Sequence, residues 1–444
     1  MSTSKSGTLR PPASRLLPII IVVAAVLRIV AALLLGDRIE ALPAIQDQVS
    51  YDALARSILA GRGYQFDTGW YPFTPANTPT SHWSFLYPLY LAGVYGSFGY
   101  HPLAARLIQA VVAGALTCWL VYRLGYRVGG RRVGLVAAAV AALYGYFIYY
   151  NAALMTESFH IVLVLAALDL ATQLQDRGDE VASGGRSARS DLWRWAALGL
   201  TLGLAALQRQ TTMVFLPLVY LWLAWCYRRS PRPLVVGGLV SAGIILLLIL
   251  PWTVRSTRVF NQFLLLNSNA GLTLYWSNHP THGFGDTWPT NDAGPLPPFP
   301  AAAAGLNEAQ MDRLLTQEGL RLILADPGRF LRRVVGRIPA FFMFYPLRES
   351  GLVSNLTRVL SFGITLPFMI YGLLLARRAW RRHMLTFLFV AAYTAIHLIS
   401  WPGPRYRLPI DAALIPFAAL ALAHLWSRIA ARRFARPPGT EAAT

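Results

Sequence analysis

Long apolar runs separated by short basic ones dominate the chain. The first runs from Leu16 to Leu35 after Lys5, Arg10 and Arg15. About 20 apolar residues suffice to cross a hydrocarbon core, whereas a secretory signal has an apolar core of only about 7–15 residues. The run therefore reads as an uncleaved first helix with its N-terminus in the cytoplasm. Further apolar stretches lie near 103–122, 133–150, 156–173, 193–208, 211–227, 234–251, 354–376, 384–401 and 408–427. The connections at 123–132, 228–233 and 377–383 and the C-terminus after 427 carry arginines and almost no acid. Placing all of these on the cytoplasmic side lets ten helices alternate across the membrane. The segment 174–192 then becomes a flexible cytoplasmic loop. Two shorter apolar stretches, Phe85–Phe98 and Phe330–Tyr345, carry internal prolines, glycines or arginines. Either one alone as a span would invert every later arginine cluster. Both are expected to lie along the outer interface, and the count becomes twelve if both cross.

Two long outer loops remain, about 37–102 and 252–353. In the first, Tyr51, Leu54, Ala55, Ile58 and Leu59 recur at helical spacing before Gly61 and Gly63, which predicts an amphipathic helix. In the second, Asn307 with Gln310 predicts a capping box ahead of a stripe of Met311, Leu314, Leu315 and Leu322. Asp326-Pro327 predicts a further helix start. No internal repeat supports an inverted-repeat transporter.

Composition strengthens this picture. Of 444 residues, 55% are hydrophobic and 14% charged, which describes an all-α polytopic membrane protein rather than a string of soluble domains. The formal charge of +20 would suggest nucleic acid in a soluble protein, but these arginines sit between spans and set topology. Nucleic acid is not an expected partner; the bilayer is. Cys118 and Cys226 lie inside apolar segments and form neither a disulfide framework nor a metal motif.

The first outer loop is acidic, unlike the rest of the chain. Asp47 sits four residues before Tyr51, over the same helix face, and reads either as a helix cap or as a catalytic carboxylate. Asp52 points elsewhere. Glu157 stands where one span ends and the next begins, as a helix cap or as a carboxylate facing the same compartment. Arg209, Arg255, Arg405 and Arg407 fall on the outer side against the general trend, either as headgroup contacts or as an anion site. Arg28 and Asp169 lie within spans, too far apart for direct pairing. His279, His282 and Asp286 have a spacing that suits a metal, but no further ligand is evident. No phosphate-binding loop, dinucleotide fingerprint or nucleophile elbow occurs.

With these residues in place the chain resembles the GT-C glycosyltransferases, a group that includes protein O-mannosyltransferases, glycosyltransferase family 39-like enzymes and aminoarabinose transferases. Asp47, Tyr51 and Ala55 to Tyr64 are similar to the first-loop motif with its catalytic aspartate. Thr80-Ser-His82-Trp through Ala92 resembles the next helix of that loop, and Leu154-Met-Thr-Glu157 resembles the second acidic site. Pro251-Trp252-Thr-Val-Arg255, Gly271 to Pro280 with Asn278, and Arg405-Tyr406-Arg407-Leu408-Pro409 resemble the later outer-side motifs. The resemblance implies one membrane domain over 1–444 and inverting transfer of a sugar from a polyprenyl-phosphate donor lipid to a hydroxyl. The acceptor, whether lipid, glycan or protein, stays open. It implies Asp47 as general base, with Glu157, Arg405, Arg407, Tyr406, Arg209, Arg255, Tyr51, His82 and Asn278 binding donor or acceptor. No cofactor is expected; a divalent metal is possible but not favoured, because arginines can neutralise the leaving phosphate. Together with the topology, the resemblance implies a bacterial or archaeal inner membrane with the site on the outer face. The alternatives are a transporter or flippase for lipid-linked sugars, and a glycan-binding protein without activity.

Overall fold

The computed structural model describes residues 15–41, 45–70, 74–182, 191–281, 297–348 and 350–434. Its described residues are almost entirely helical, with two isolated β-bridges in the first loop. In chain order the helices are α1 (Leu16–Leu35), α2 (Asp47–Leu59), α3 (Leu86–Phe98), α4 (Pro102–Leu143), α5 (Gly145–Ala152), α6 (Glu157–Ala182), α7 (Leu192–Gln208), α8 (Leu216–Cys226) and α9 (Pro231–Phe260). Then follow α10 (Ala270–Asn278), α11 (Glu308–Ala325), α12 (Pro327–Gly336), α13 (Ile338–Phe341), α14 (Leu352–Arg358), α15 (Ile364–Ala376), α16 (Met384–Ile399) and α17 (Pro404–Phe434). Among the described residues six helical stretches are long and apolar enough to cross a membrane, and the chain is an integral membrane protein.

All ten expected apolar segments are helical, with differences at their joints. Those near 103–122 and 133–150 merge into α4, which breaks at Gly129 and Gly130; Gly130 has φ 80°. The two arms fold against each other where Gly125 faces Ala137 and Gly134 faces Tyr122. A Cβ at Gly134 would come within 2.8 Å of the Tyr122 carbonyl oxygen, so that approach requires glycine. The second arm stops at Tyr144, whose extended ψ of 106° starts the separate helix α5. The segment near 211–227 divides into a 3₁₀ turn, Gln210–Val214, and the eleven-residue α8. α6 stays helical to Ala182, well into the segment 174–192 expected as a loop. Gln175 there is buried and accepts from the Trp222 indole, and Arg177 pairs with Asp191 at 3.2 Å.

The short apolar stretches also form helices. α3 has 13 residues, or about 20 Å at 1.5 Å per residue, against a hydrocarbon core of about 30 Å. Its Tyr87, Leu91 and Tyr95 are buried towards α2 and α4. The stretch 330–345 breaks into α12 and α13 around Arg337. The capping box at Asn307 and Gln310 is present, and the Asp326 carboxylate accepts from the Arg329 amide. Met311 and Leu315 pack with Leu272, Tyr275 and Trp276 in a small core separate from that of the main bundle.

Arg28 and Asp169 do not pair. Arg28 is fully buried and donates to the carbonyls of Ala24, Ala141 and Ala142. Asp169 holds Arg123 at 2.8 Å and Arg127 at 3.4 Å.

Candidate active site

Four charged side chains from four parts of the chain meet at one place. Asp47 and Glu157 are the first residues of α2 and α6, where a carboxylate complements the positive end of a helix. Asp47 is not a cap: Gln46 holds that position and makes no side-chain capping bond. Arg209 follows the last residue of α7, the end that favours a cation. Arg405 lies in the first turn of α17, where a cation opposes the helix dipole and needs nearby anions. It has them. Its Nη2 lies 2.6 Å from Asp47 Oδ2, and its Nε lies 2.9 Å from Glu157 Oε1. Arg209 Nη1 reaches the same Glu157 oxygen at 2.6 Å and Thr156 Oγ1 at 3.2 Å. Glu157 is almost wholly buried, whereas the side chains of Asp47, Arg209 and Arg405 stay 16%, 14% and 14% exposed. The group carries two negative and two positive charges and sums to zero. Asp47, Arg209 and Arg405 form its accessible edge and Glu157 its buried floor.

Tyr51, one turn after Asp47, lies within the field of this group. It packs edge-on against Trp83 at 5.4 Å and Tyr87 at 5.2 Å. Burial first, and then the Asp47 and Glu157 carboxylates, push its phenol well above the usual range. The Tyr406 ring lies under both guanidinium groups, 4.8 Å from that of Arg405 and 5.2 Å from that of Arg209.

The other expected residues lie elsewhere. Arg407 is two positions beyond Arg405, and two positions on a helix differ by about 200°, so it leaves the opposite side of α17. There it is fully buried, pairs with Asp411 at 2.9 Å and donates to the Phe341 carbonyl at 2.5 Å. Asp411 in turn accepts from the Tyr144 hydroxyl at 2.8 Å. Arg407 is therefore not part of the charged group, contrary to the expectation that placed it beside Arg405. Arg255 fastens the first loop instead, donating to the Thr80 carbonyl at 2.7 Å, Ser81 Oγ at 2.9 Å and the Tyr64 carbonyl at 3.3 Å. His82 lies buried against Trp70 and Trp83, and burial lowers its imidazole to about 3. Asn278 ends α10, donating to the Leu274 carbonyl at 2.8 Å. His279 sits beside Thr281, while His282 and Asp286 lie outside the described residues.

Several residues of this region carry no sequence motif. Glu308 is buried and accepts from Thr74 Oγ1, the Ser81 amide and Ser268 Oγ, joining both loops. Behind Glu157, His160 Nε2 lies 3.1 Å from the Tyr393 hydroxyl, which also takes the Thr211 hydroxyl at 3.4 Å. His160 and Tyr393 stand in the sequence only as polar aromatic residues inside apolar runs, which does not show that they meet. Among the described residues no three His, Cys, Asp or Glu side chains converge as metal ligands. The two carboxylates of the charged group hold arginine.

No protein-family model and no curated protein sequence matches the chain. Solved structures do match. One is the oligosaccharyltransferase AglB from Archaeoglobus fulgidus in complex with an inhibitory peptide and a dolichol-phosphate. It aligns with a TM-score of 0.58 and 15% identity over 96% of this chain and 52% of its own. Another is ArnT from Cupriavidus metallidurans bound to undecaprenyl phosphate, with a TM-score of 0.53 and 14% identity over 94% of this chain and 61% of its own. The chain thus spans about half the length of the archaeal enzyme. Identities this low carry the fold alone: the chain shares the fold of these two proteins.

Proposed function

We propose that the chain transfers a sugar from a polyprenyl-phosphate donor to an acceptor hydroxyl, with inversion, on the outer face of a bacterial or archaeal inner membrane. The observation that carries this reading is the group of Asp47, Glu157, Arg209 and Arg405, whose one accessible carboxylate, Asp47, is held by a guanidinium that also binds the buried Glu157. Asp47 is the general base: its carboxylate takes the acceptor proton as the hydroxyl oxygen attacks the anomeric carbon. The bond from that carbon to the phosphate oxygen breaks, and the negative charge goes to the lipid phosphate. Arg405 meets that charge, backed by Arg209, since a preorganised cation in a partly dry site is worth far more than one in water. Glu157 anchors both arginines from below, so in this reading it positions rather than reacts.

A neutral group gives a donor anion no net attraction. The donor phosphate enters by exchange, taking up Arg405 Nη2 in place of Asp47 Oδ2 and so freeing the base as the donor binds. Positive charge from arginine between the two carboxylates supports a reaction that needs no metal.

The test is sugar transfer by the purified full chain in liposomes. A panel of radiolabelled polyprenyl-phosphate sugars is supplied with membrane extract as acceptor, with and without chelator. Transfer that survives chelation is expected. Transfer lost on chelation keeps the enzyme and overturns the metal-free step. If no donor is consumed while lipid phosphate still binds, the chain is a carrier of lipid-linked sugars and the proposal fails.

A further inference from the structure

The two arginines of the charged group meet at two points, a carboxylate oxygen and an aromatic ring. Both reach Glu157 Oε1, Arg209 at 2.6 Å and Arg405 at 2.9 Å. Both also lie over the Tyr406 ring, at 5.2 Å and 4.8 Å, and the Tyr406 hydroxyl accepts from Arg405 Nη2 at 3.4 Å. Like charges this close repel, and one carboxylate shared between them does not fix their angle. An aromatic face attracts both and does so in defined planes. The ring itself is set from behind. His397 stacks on it at 5.0 Å and 15° between planes, and Phe341 stacks on His397 at 6.0 Å and 19°. Tyr393 meets His397 edge-on at 4.8 Å. His397 is 4% exposed, and its ring faces carry the stack between Tyr406 and Phe341.

We infer that Tyr406, seated on His397, is a positioning residue that spaces the Arg405 and Arg209 guanidinium groups into a preset cradle for the donor's phosphate. The inference rests on the proposed transfer reaction for its ligand, but not for its geometry. Tyr406 acts through the two arginines and not by touching the sugar. The ring face is the part that matters, and the hydroxyl is secondary.

Three variants test this: Tyr406→Leu, Tyr406→Phe and His397→Phe. The first readout is the affinity of the full-length protein in detergent for undecaprenyl phosphate, which carries no sugar. Loss of two partly desolvated cation–π contacts predicts binding weakened by roughly 10- to 30-fold in Tyr406→Leu. Tyr406→Phe and His397→Phe keep the stack and are expected within about threefold of the wild type, a tolerance of under 1 kcal/mol. The second readout needs no lipid: labelling of Arg405 and Arg209 by phenylglyoxal, followed by mass spectrometry. Faster labelling in Tyr406→Leu than in Tyr406→Phe is expected, with thermal midpoints of the two variants alike. The inference is overturned if Tyr406→Leu binds and labels like the wild type, or if Tyr406→Phe is as damaged as Tyr406→Leu. Should the wild type bind no undecaprenyl phosphate, the transfer reading fails, and the labelling ratio still decides the role of the ring.

Discussion

Replacing Arg405 by glutamine removes the one side chain that touches both carboxylates of the charged group. The structural cost differs on the two sides. Glu157 is 2% exposed but keeps Arg209 at 2.6 Å. Asp47 loses its guanidinium partner, yet at 16% exposure water can replace it in part. Stranding a fully buried charge costs about 3–5 kcal/mol, and this half-open case is expected to cost about 1–3 kcal/mol of stability. The chemical cost is larger in effect. Removing one preorganised donor from a developing anion costs about 2.7–4 kcal/mol, or roughly 10²–10³ in kcat. Arg405→Lys restores the charge but not the fork, because an ammonium is a point charge and cannot hold both carboxylates in the same plane. It is expected to fall between the two. The assay is initial-rate transfer at saturating donor, paired with a thermal midpoint, so that lost catalysis is separated from lost fold. Turnover of Arg405→Gln within threefold of the wild type would refute the role given to this arginine. So would a loss that simply tracks the folded fraction.

Asp411→Ala strands Arg407 in a fully buried site and is expected to cost about 3–5 kcal/mol, read as a drop in thermal midpoint, while turnover per folded molecule changes less than threefold. Gly199→Ala places a Cβ 2.5 Å from the Ser241 carbonyl oxygen, where α7 crosses α9; a clear fall in thermal midpoint is expected there, and none for Gly238→Ala, which meets open space. His82 has its folded value lowered from 6.5 to about 3, so its contribution is fully present above pH 6.5 and is lost as pH falls towards 3. At pH 5 the unfolded state has gained a proton that the folded state refuses, a loss of about 2 kcal/mol at 1.36 kcal/mol per pH unit. His82→Asn should flatten that slope in an acid denaturation series.

The periodic parts of the fold were legible because burial and helix chemistry act locally. α2, the Asn307 capping box and the Asp326-Pro327 helix start all follow from side chains within one or two turns. The joints were harder. The reversal in α4 depends on Gly129 and Gly130 inside a run whose arginines look like an ordinary connection, and α6 outlasts its apolar run because Gln175 and Arg177 find partners on other elements. At the site, Asp47, Glu157, Arg209 and Arg405 stood out as charges at helix ends on one side of the topology. Arg407 was misplaced because its loop-like surroundings, Pro404 and Pro409, conceal that α17 begins at Pro404; once the segment is helical, 405 and 407 must diverge. Glu308, His160 and His397 act across the fold, and nothing local to them in the chain marks those distant partners.

The most direct test of the account compares Asp47→Asn with the wild type in two assays on the same preparation, sugar transfer and undecaprenyl-phosphate binding. The amide keeps the shape of the carboxylate and takes no proton. It also leaves the group of Glu157, Arg209 and Arg405 with one net positive charge. Transfer should fall by roughly 10²–10⁴, the range of a lost general base, while lipid-phosphate binding is retained or tightened. Transfer within threefold of the wild type would contradict the account at its centre.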